Sequence, residues 1–293
     1  NTRRFTCPYH AWTYDLAGRL TAAPLMERTI GFDPARLGLR QFPAEVWQGF
    51  VFVNLSGDAP ALSTTANALS RRLANYRLDE MRLLRKLDFD CPWNWKVMVE
   101  NYMECYHHLA AHRTTLQKII PAHKTWCEET DGPYALCHMP YRSDVDVVAY
   151  KADAKEAGGE NQALPAILGL NEAERRRGTL VHLFPTHVMV VYPERMDYLL
   201  IDPIGPERTR VTACFCLPEG IARAGDHEAA IDEIVLHFLE FTREDFVVCE
   251  GVQRGLRAPT ADLGPLSFVE ASVRQLQRYV RERIFAPSKS ETT

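Results

Sequence analysis

Three histidines fall close together at His107, His108 and His112, and a carboxylate, Glu104, stands three positions before the first of them. Imidazole and carboxylate are the donors of a facial triad, in which two histidines and one acid hold Fe(II) on one face and leave adjacent positions open to O2. On a helix turning about 100° per residue, Glu104 and His107 are neighbours on one face. His107 and His112 stand about 140° apart, so they share a metal only where the helix ends or bulges between them. His108 points elsewhere on any regular helix. A lone histidine is more often a packed or surface residue than a ligand, but three of them one turn after an acid shift that balance. The carboxylate can be Glu104 itself or a distant Asp, and spacing does not choose between them.

A second pair of donors, Cys7 and His10, frames Pro8 and Tyr9. Alone it is a weak signal: it supplies two of the four or so donors a metal site needs. Taken alone, a core cysteine on a strand is the better reading, with half of a structural zinc site a remote third.

The elements that must position these residues follow from the pattern of the chain. The first ninety residues read as short β segments: RFTCPYH, then AWTYDLAGRL with a turn around Gly18, then VWQGFVFVNL as a strand. The polar, helix-compatible stretch STTANALSRRLANYRLDEMRLL reads as a link between two domains. From about Asn94 the segment CPWNWKVMVENYMECYHHLAAH reads as one helix, having no Gly and a single early Pro. KADAKEAGGENQALP suggests a flexible insertion. The run GTLVHLFPTHVMVVYPERMDYLLIDPIGPERTRVTACFCL suggests an antiparallel meander. Helices follow from about His227 to Gly255 and from about Leu266 to Ile284, which together predict an α+β fold with helices on one face of an antiparallel sheet. The tail APSKSETT reads as disordered.

Composition bounds the rest. The chain has 293 residues, 46% of them hydrophobic, and a net charge of −4. At roughly 150 residues per domain this predicts two domains. There is no basic excess for a nucleic-acid backbone and no apolar run of about 20 residues to span a membrane. Eight cysteines scattered along a chain of this size, without the spacing of a secreted scaffold, point to a reducing, cytoplasmic setting. The first residues hold no apolar h-region and no initiator Met, so the chain reads as cut rather than started.

Taken together, the motifs resemble a known family. CPYHAWTYDLAGRL resembles the second half of the Rieske motif, in which Cys and His pairs hold a [2Fe-2S] cluster. NWKVMVENYMECYHHLAAH resembles the mononuclear-iron segment of Rieske non-haem iron oxygenase α subunits, the ring-hydroxylating dioxygenase family, and REDFVVCEGVQRGL resembles its late helix. The resemblance implies a partial all-β Rieske domain with linker over residues 1–85, a helix-grip catalytic domain over 86–286 and a tail over 287–293. It implies that Cys7 and His10 are half of the cluster ligands, that His107, His112 and Asp245 hold the mononuclear Fe(2+), and that Glu104 is the bridging acid. That acid would orient His107 and carry electrons toward the cluster of a neighbouring subunit in a homotrimer. Asn101 matches an amide near the iron, although helix capping or a surface position reads equally well. Glu250 and Gln253 recur in the late helix as direct participants or as supports for it. His108, His123, His138, His182 and His187 match no role and read as structural, as do Trp12, Trp93 and Trp95.

Electrons would come from NAD(P)H through a separate reductase or ferredoxin. Glu rather than Asp at position 104, together with CEGVQRGL, is more similar to the branch acting on carnitine, glycine betaine and stachydrine. This predicts hydroxylation or oxidative N-demethylation of a small quaternary or methylated amine, with Tyr192, Tyr198, Trp126 and Phe184 as candidate aromatic walls. Aromatic-ring dihydroxylation and a non-catalytic electron-transfer module are the alternatives. Two departures stand out: Ala11 replaces the usual Gly after CPYH, and Arg113 the usual Pro after the second iron histidine. With the first ligand pair expected before residue 1, the chain as written should hold mononuclear iron but not the two-iron cluster.

Overall fold

The computed structural model describes residues 2–142, 164–224, 227–261 and 264–285. The expected insertion at KADAKEAGGENQALP, for all but its last residues, and the expected disordered tail lie outside them. Two compact units divide between Thr64 and Thr65.

In the first unit β1 (Arg4–Thr6), β2 (Thr13–Asp15) and β3 (Leu20–Ala22) form an antiparallel sheet in that order. The turn between β1 and β2 carries Cys7 and His10, both exposed. It closes through two backbone bonds, Cys7 N–H to Trp12 O at 2.8 Å and Ala11 N–H to Cys7 O at 3.0 Å. Ala11 has φ +58°, a left-handed conformation in which a Cβ costs about 1 kcal/mol or more. The alanine at this position, noted above as a departure from the resembled motif, therefore carries backbone strain. Ala11→Gly should slow hydrogen exchange at the Cys7 and residue-11 amides about fivefold, the equivalent of about 1 kcal/mol.

VWQGFVFVNL is not one strand but the larger part of a hairpin, β4 (Ala44–Trp47) and β5 (Phe50–Val53). The two-residue connection Gln48-Gly49 has φ +51° and +84°, the mirror-image turn that matches strand twist.

Helix α1 (Leu62–Leu73) crosses the division between Thr64 and Thr65 and opens the stretch read as a link. Ala66, Leu69, Leu73, Tyr76 and Leu78 are at most 2% exposed, so this stretch belongs to the core of the second unit instead. Residue 85 lies within the next strand, β6 (Met81–Cys91), so the division in the described structure falls about twenty residues before the expected boundary.

The main sheet has seven antiparallel strands in the order β6-β12-β11-β10-β9-β8-β7. The remaining members are β7 (Trp126–Cys127), β8 (Tyr134–Pro140), β9 (Arg177–Leu183), β10 (His187–Val191), β11 (Met196–Gly205) and β12 (Arg208–Pro218). From β8 to β12 each strand pairs with the one before it, the meander expected from the alternating apolar runs. α2 (Trp95–Tyr102), α3 (Glu228–Leu256) and α4 (Ala271–Ile284) are further helices of the second unit. No helix among the described residues is long and apolar enough to cross a membrane.

α3 is fixed by aromatic packing. Phe238 meets Phe215 at 5.1 Å between ring centroids, and Phe246 meets Trp93 at 4.9 Å and Phe89 at 5.5 Å. Phe238, Phe241, Asp245, Cys249 and Gln253 follow a helical spacing of three or four residues, so one stripe of α3 carries both its anchors and Asp245.

Candidate metal centre

The expected long helix ends early. Asn94 caps α2 by accepting the Lys96 amide proton at 3.0 Å, and the helix stops at Tyr102. Two interactions explain the stop. Ser272 of α4 donates its hydroxyl to the Met103 carbonyl, taking up an acceptor that the helix end leaves unpaired. The Glu104 carboxylate accepts the Tyr106 and His107 amide protons and starts the short 3-10 turn Tyr106–Leu109. A side chain that bonds nearby amides in this way competes with a continuing helix. The chain then folds back on itself, so all three histidines face one another. Ring centroids lie 4.9 Å apart for His107 and His112, 5.0 Å for His107 and His108, and 5.3 Å for His108 and His112.

Asp245 on α3 reaches this cluster. Its Oδ1 lies 3.0 Å from His112 Nε2 and 3.5 Å from His107 Nε2, and it accepts a hydrogen bond from Asn101 Nδ2 at 2.9 Å. The carboxylate that converges with both imidazoles is therefore the distant Asp. Glu104 sits behind, accepting from His107 Nδ1. Asn101 is neither a cap nor a surface amide: it orients Asp245.

His112 is held by a residue that the sequence alone did not single out. Its Nδ1 donates to Glu244 Oε2 at 2.7 Å, and Thr115 donates its hydroxyl to the same oxygen at 2.6 Å. Adjacent residues of α3 thus serve one ring from opposite sides, Glu244 at Nδ1 and Asp245 at Nε2. Burial opposes a charge on His112, but the hydrogen bonds and charges of Asp245 and Glu244 outweigh it and raise the imidazole pKa. A metal ion at Nε2 takes the place of that proton. The only available signal for Glu244 was its position beside the matched Asp.

Two imidazoles and a carboxylate, each oriented by an outer hydrogen bond, have the chemistry of an Fe(II) facial site. Glu244→Ala should weaken Fe(II) binding by about 10–100-fold, the usual cost of removing a partner that orients a ligand. Chelator competition measures it.

Beside the cluster is a cavity walled by Tyr102, Tyr192, Phe238 and Phe241, with Glu104, Asp197 and Asp245 also exposed to it. Of the four expected aromatic walls, Tyr192 lines it. Phe184 lies in a different groove, alongside Tyr279. Trp126 is 45% exposed and stacks on His138 at 4.1 Å. Neither they nor half-buried Tyr198 line this cavity. Phe238 and Phe241 read as ordinary helix positions until α3 is docked.

Arg195 stacks on Tyr192 at 3.8 Å behind the wall and binds Glu194 and Asp197. Gln253 accepts the Asn94 amide proton at 2.8 Å and so docks α3 onto the start of α2, whereas Glu250 is exposed. His138 pairs with Glu128, His182 with the Pro185 carbonyl, and His123 is exposed. Trp93 is fully buried, and Trp95 and Trp12 partly so.

This architecture and site define an oxygenase α-subunit fold, and the chain belongs to the family described as ring hydroxylating alpha subunit (catalytic domain), whose model matches residues 78–286. Residues 1–43 match the Rieske [2Fe-2S] domain. Among curated relatives, the chain is 26% identical over 297 residues to the glycine betaine monooxygenase oxygenase subunit of Chromohalobacter salexigens, covering 90% of this chain and 63% of that protein. It is 24% identical over 263 residues to choline monooxygenase, chloroplastic, of Amaranthus tricolor, covering 87% and 53%. The chain thus spans roughly half to two thirds of the length of these relatives. Among solved structures, it superposes on the quaternary ammonium Rieske monooxygenase CntA with a TM-score of 0.74 at 23% identity, over 96% of this chain and 72% of that one.

Proposed function

We propose that the full-length protein is the oxygenase component of a Rieske system that hydroxylates or oxidatively N-demethylates a small quaternary ammonium or methylated amine. It would use O2 and electrons passed from NAD(P)H by a reductase or ferredoxin. The observation that carries this reading is the convergence of His107, His112 and Asp245 beside an aromatic cavity with acidic groups. A module that only relayed electrons has no need of that convergence. The relatives named for glycine betaine, choline and quaternary ammonium oxidation supply the substrate class.

His107, His112 and Asp245 would hold iron, which would supply O2 reduction and C–H oxidation, and Cys7 and His10 would provide half the ligands of a [2Fe-2S] cluster that would deliver the electrons. The other residues bind and orient. Aromatic faces such as those of Tyr102, Tyr192, Phe238 and Phe241 attract a quaternary ammonium group, each by about 0.5–2 kcal/mol. Glu104 and Glu244 keep the His107 and His112 rings in one tautomer. In a homotrimer, Glu104 is also the route for electrons from a neighbouring subunit. For N-demethylation, one oxygen atom enters the methyl C–H bond and the other leaves as water, consuming two electrons and two protons. The resulting hemiaminal loses its hydroxyl proton to solvent, or to the leaving nitrogen where that is not quaternary, as the C–N bond breaks, releasing the amine with the bonding pair and formaldehyde.

Full-length protein supplied with iron, O2, a reductase and NADH should consume NADH and release formaldehyde or another aldehyde from glycine betaine, choline or carnitine. Turnover of aromatic compounds alone, to cis-diols, would overturn the substrate assignment.

A further inference from the structure

Two cysteines at the edge of the main sheet face one another. Cys127 on the outer strand β7 stands directly opposite Cys137 on β8. At the next opposed pair the Glu128 amide donates to the Leu136 carbonyl at 2.9 Å. Hydrogen-bonded and non-hydrogen-bonded pairs alternate along an antiparallel ladder, so Cys127 and Cys137 occupy a non-hydrogen-bonded position, where side chains come closest and Cα atoms are about 4.5 Å apart. A disulfide spans Cα atoms about 4.4–6.8 Å apart. Both cysteines are free thiols, and they are not equivalent. Cys137 is fully buried, whereas Cys127 is half-buried. The Cys137 thiol donates a hydrogen bond to the Cys127 sulfur and outweighs burial there, with Ser272 at the start of α4 adding to it, so the Cys127 pKa falls to about 7. The same hydrogen bond, with burial, pushes the Cys137 thiol well up. A thiol made acidic at the start of a helix and partly open to solvent is the setting of a reactive cysteine.

We propose that Cys127 and Cys137 are a peroxide-reactive pair that closes reversibly to a disulfide between β7 and β8. The Cys127 thiolate attacks one oxygen of hydrogen peroxide and breaks the O–O bond. The hydroxide that leaves takes up the proton given up by Cys127, forming water, and Cys127 becomes a sulfenic acid. The Cys137 sulfur then attacks the Cys127 sulfur and breaks its S–O bond, and the departing hydroxyl leaves with the Cys137 proton as a second water. Two thiols lose two electrons and two protons, and one peroxide becomes two waters. The pair sits at the short end of the span a disulfide tolerates, so the bridge is strained and a dithiol reopens it.

The test treats the folded full chain with an equimolar amount of hydrogen peroxide, alkylates the remaining thiols in denaturant and maps the peptides by mass spectrometry without reduction. Cleavage after Glu128 or Glu129 separates the two cysteines into different peptides, so a bridge shows as a cross-link. The expected result is Cys127 linked to Cys137 and released by dithiothreitol, with the other cysteines still alkylated. Cys127→Ser should leave Cys137 reduced, and Cys137→Ser should leave Cys127 as a sulfenic acid that dimedone traps. Circular dichroism checks that the variants fold, and the wild-type map stands without them. Cys127 and Cys137 both alkylated after peroxide, or a bridge from either to Cys105, whose thiol packs beside theirs, would overturn the pairing. Dimedone labelling of Cys137 in Cys127→Ser, as fast as that of Cys127 in Cys137→Ser, would overturn the role of Cys127 as the attacking thiol.

Discussion

Asp245→Ala is expected to lower Fe(II) affinity by more than about 100-fold, so that the purified variant carries almost no iron. Removing an outer partner already costs about 10–100-fold, and Asp245 is the carboxylate within reach of both His107 and His112 Nε2. Its loss removes a donor and the negative charge that offsets a divalent ion. The fold should survive, because α3 is pinned by Phe238, Phe246 and Gln253 rather than by Asp245. Anaerobic titration followed by metal analysis measures the effect, with circular dichroism as the check on folding.

The largest stability effect is expected at Arg195. Its side chain is 12% exposed, and those of Glu194 and Asp197 are 7% and 8%. Burial disfavours the guanidinium charge, but the two carboxylates outweigh it and hold the group protonated. Arg195→Met keeps most of the apolar stem yet strips both acids of this counter-ion inside the protein. Breaking a buried pair in this way costs about 3–5 kcal/mol. The same change removes the stack on Tyr192, adding about 0.5–2 kcal/mol. The urea midpoint should drop sharply, whereas Arg208→Met, which breaks an ion pair with Asp90 more than half exposed on both sides, should leave it in place. A small effect at Arg195 would mean that Glu194 and Asp197 are held mainly by other partners.

What could be read from the sequence, and what could not, divides along physical lines. The meander and α3 were legible because strand alternation and helical amphipathicity are local signals that burial reinforces. The segment from Met103 to His112 was not. It contains no Gly or Pro, and its helix stops through a hydroxyl from Ser272, 169 positions away, and a carboxylate that bonds its own following amides. Misreading it as continuous helix turned His108 away from its neighbours. The stretch from Ala66 to Leu78 looked like a linker because its polar residues hide a short apolar stripe that only tertiary packing uses. Gln48-Gly49 gave little warning of a hairpin, since Asn or Asp commonly fills the first position of such a turn. Among the site residues, His107 and Asp245 came from motif resemblance, while Glu244 and Phe241 needed the docking of α3 against the histidine turn.

Crystals of the Fe(II)-loaded protein, measured with anomalous scattering at the iron edge, test the central claim most directly. The expected result is one strong peak among His107 Nε2, His112 Nε2 and the Asp245 carboxylate, facing the cavity of Tyr192 and Phe238. Iron found elsewhere, with Asp245 still bonded only to Asn101 and an unmetallated His112, would contradict it.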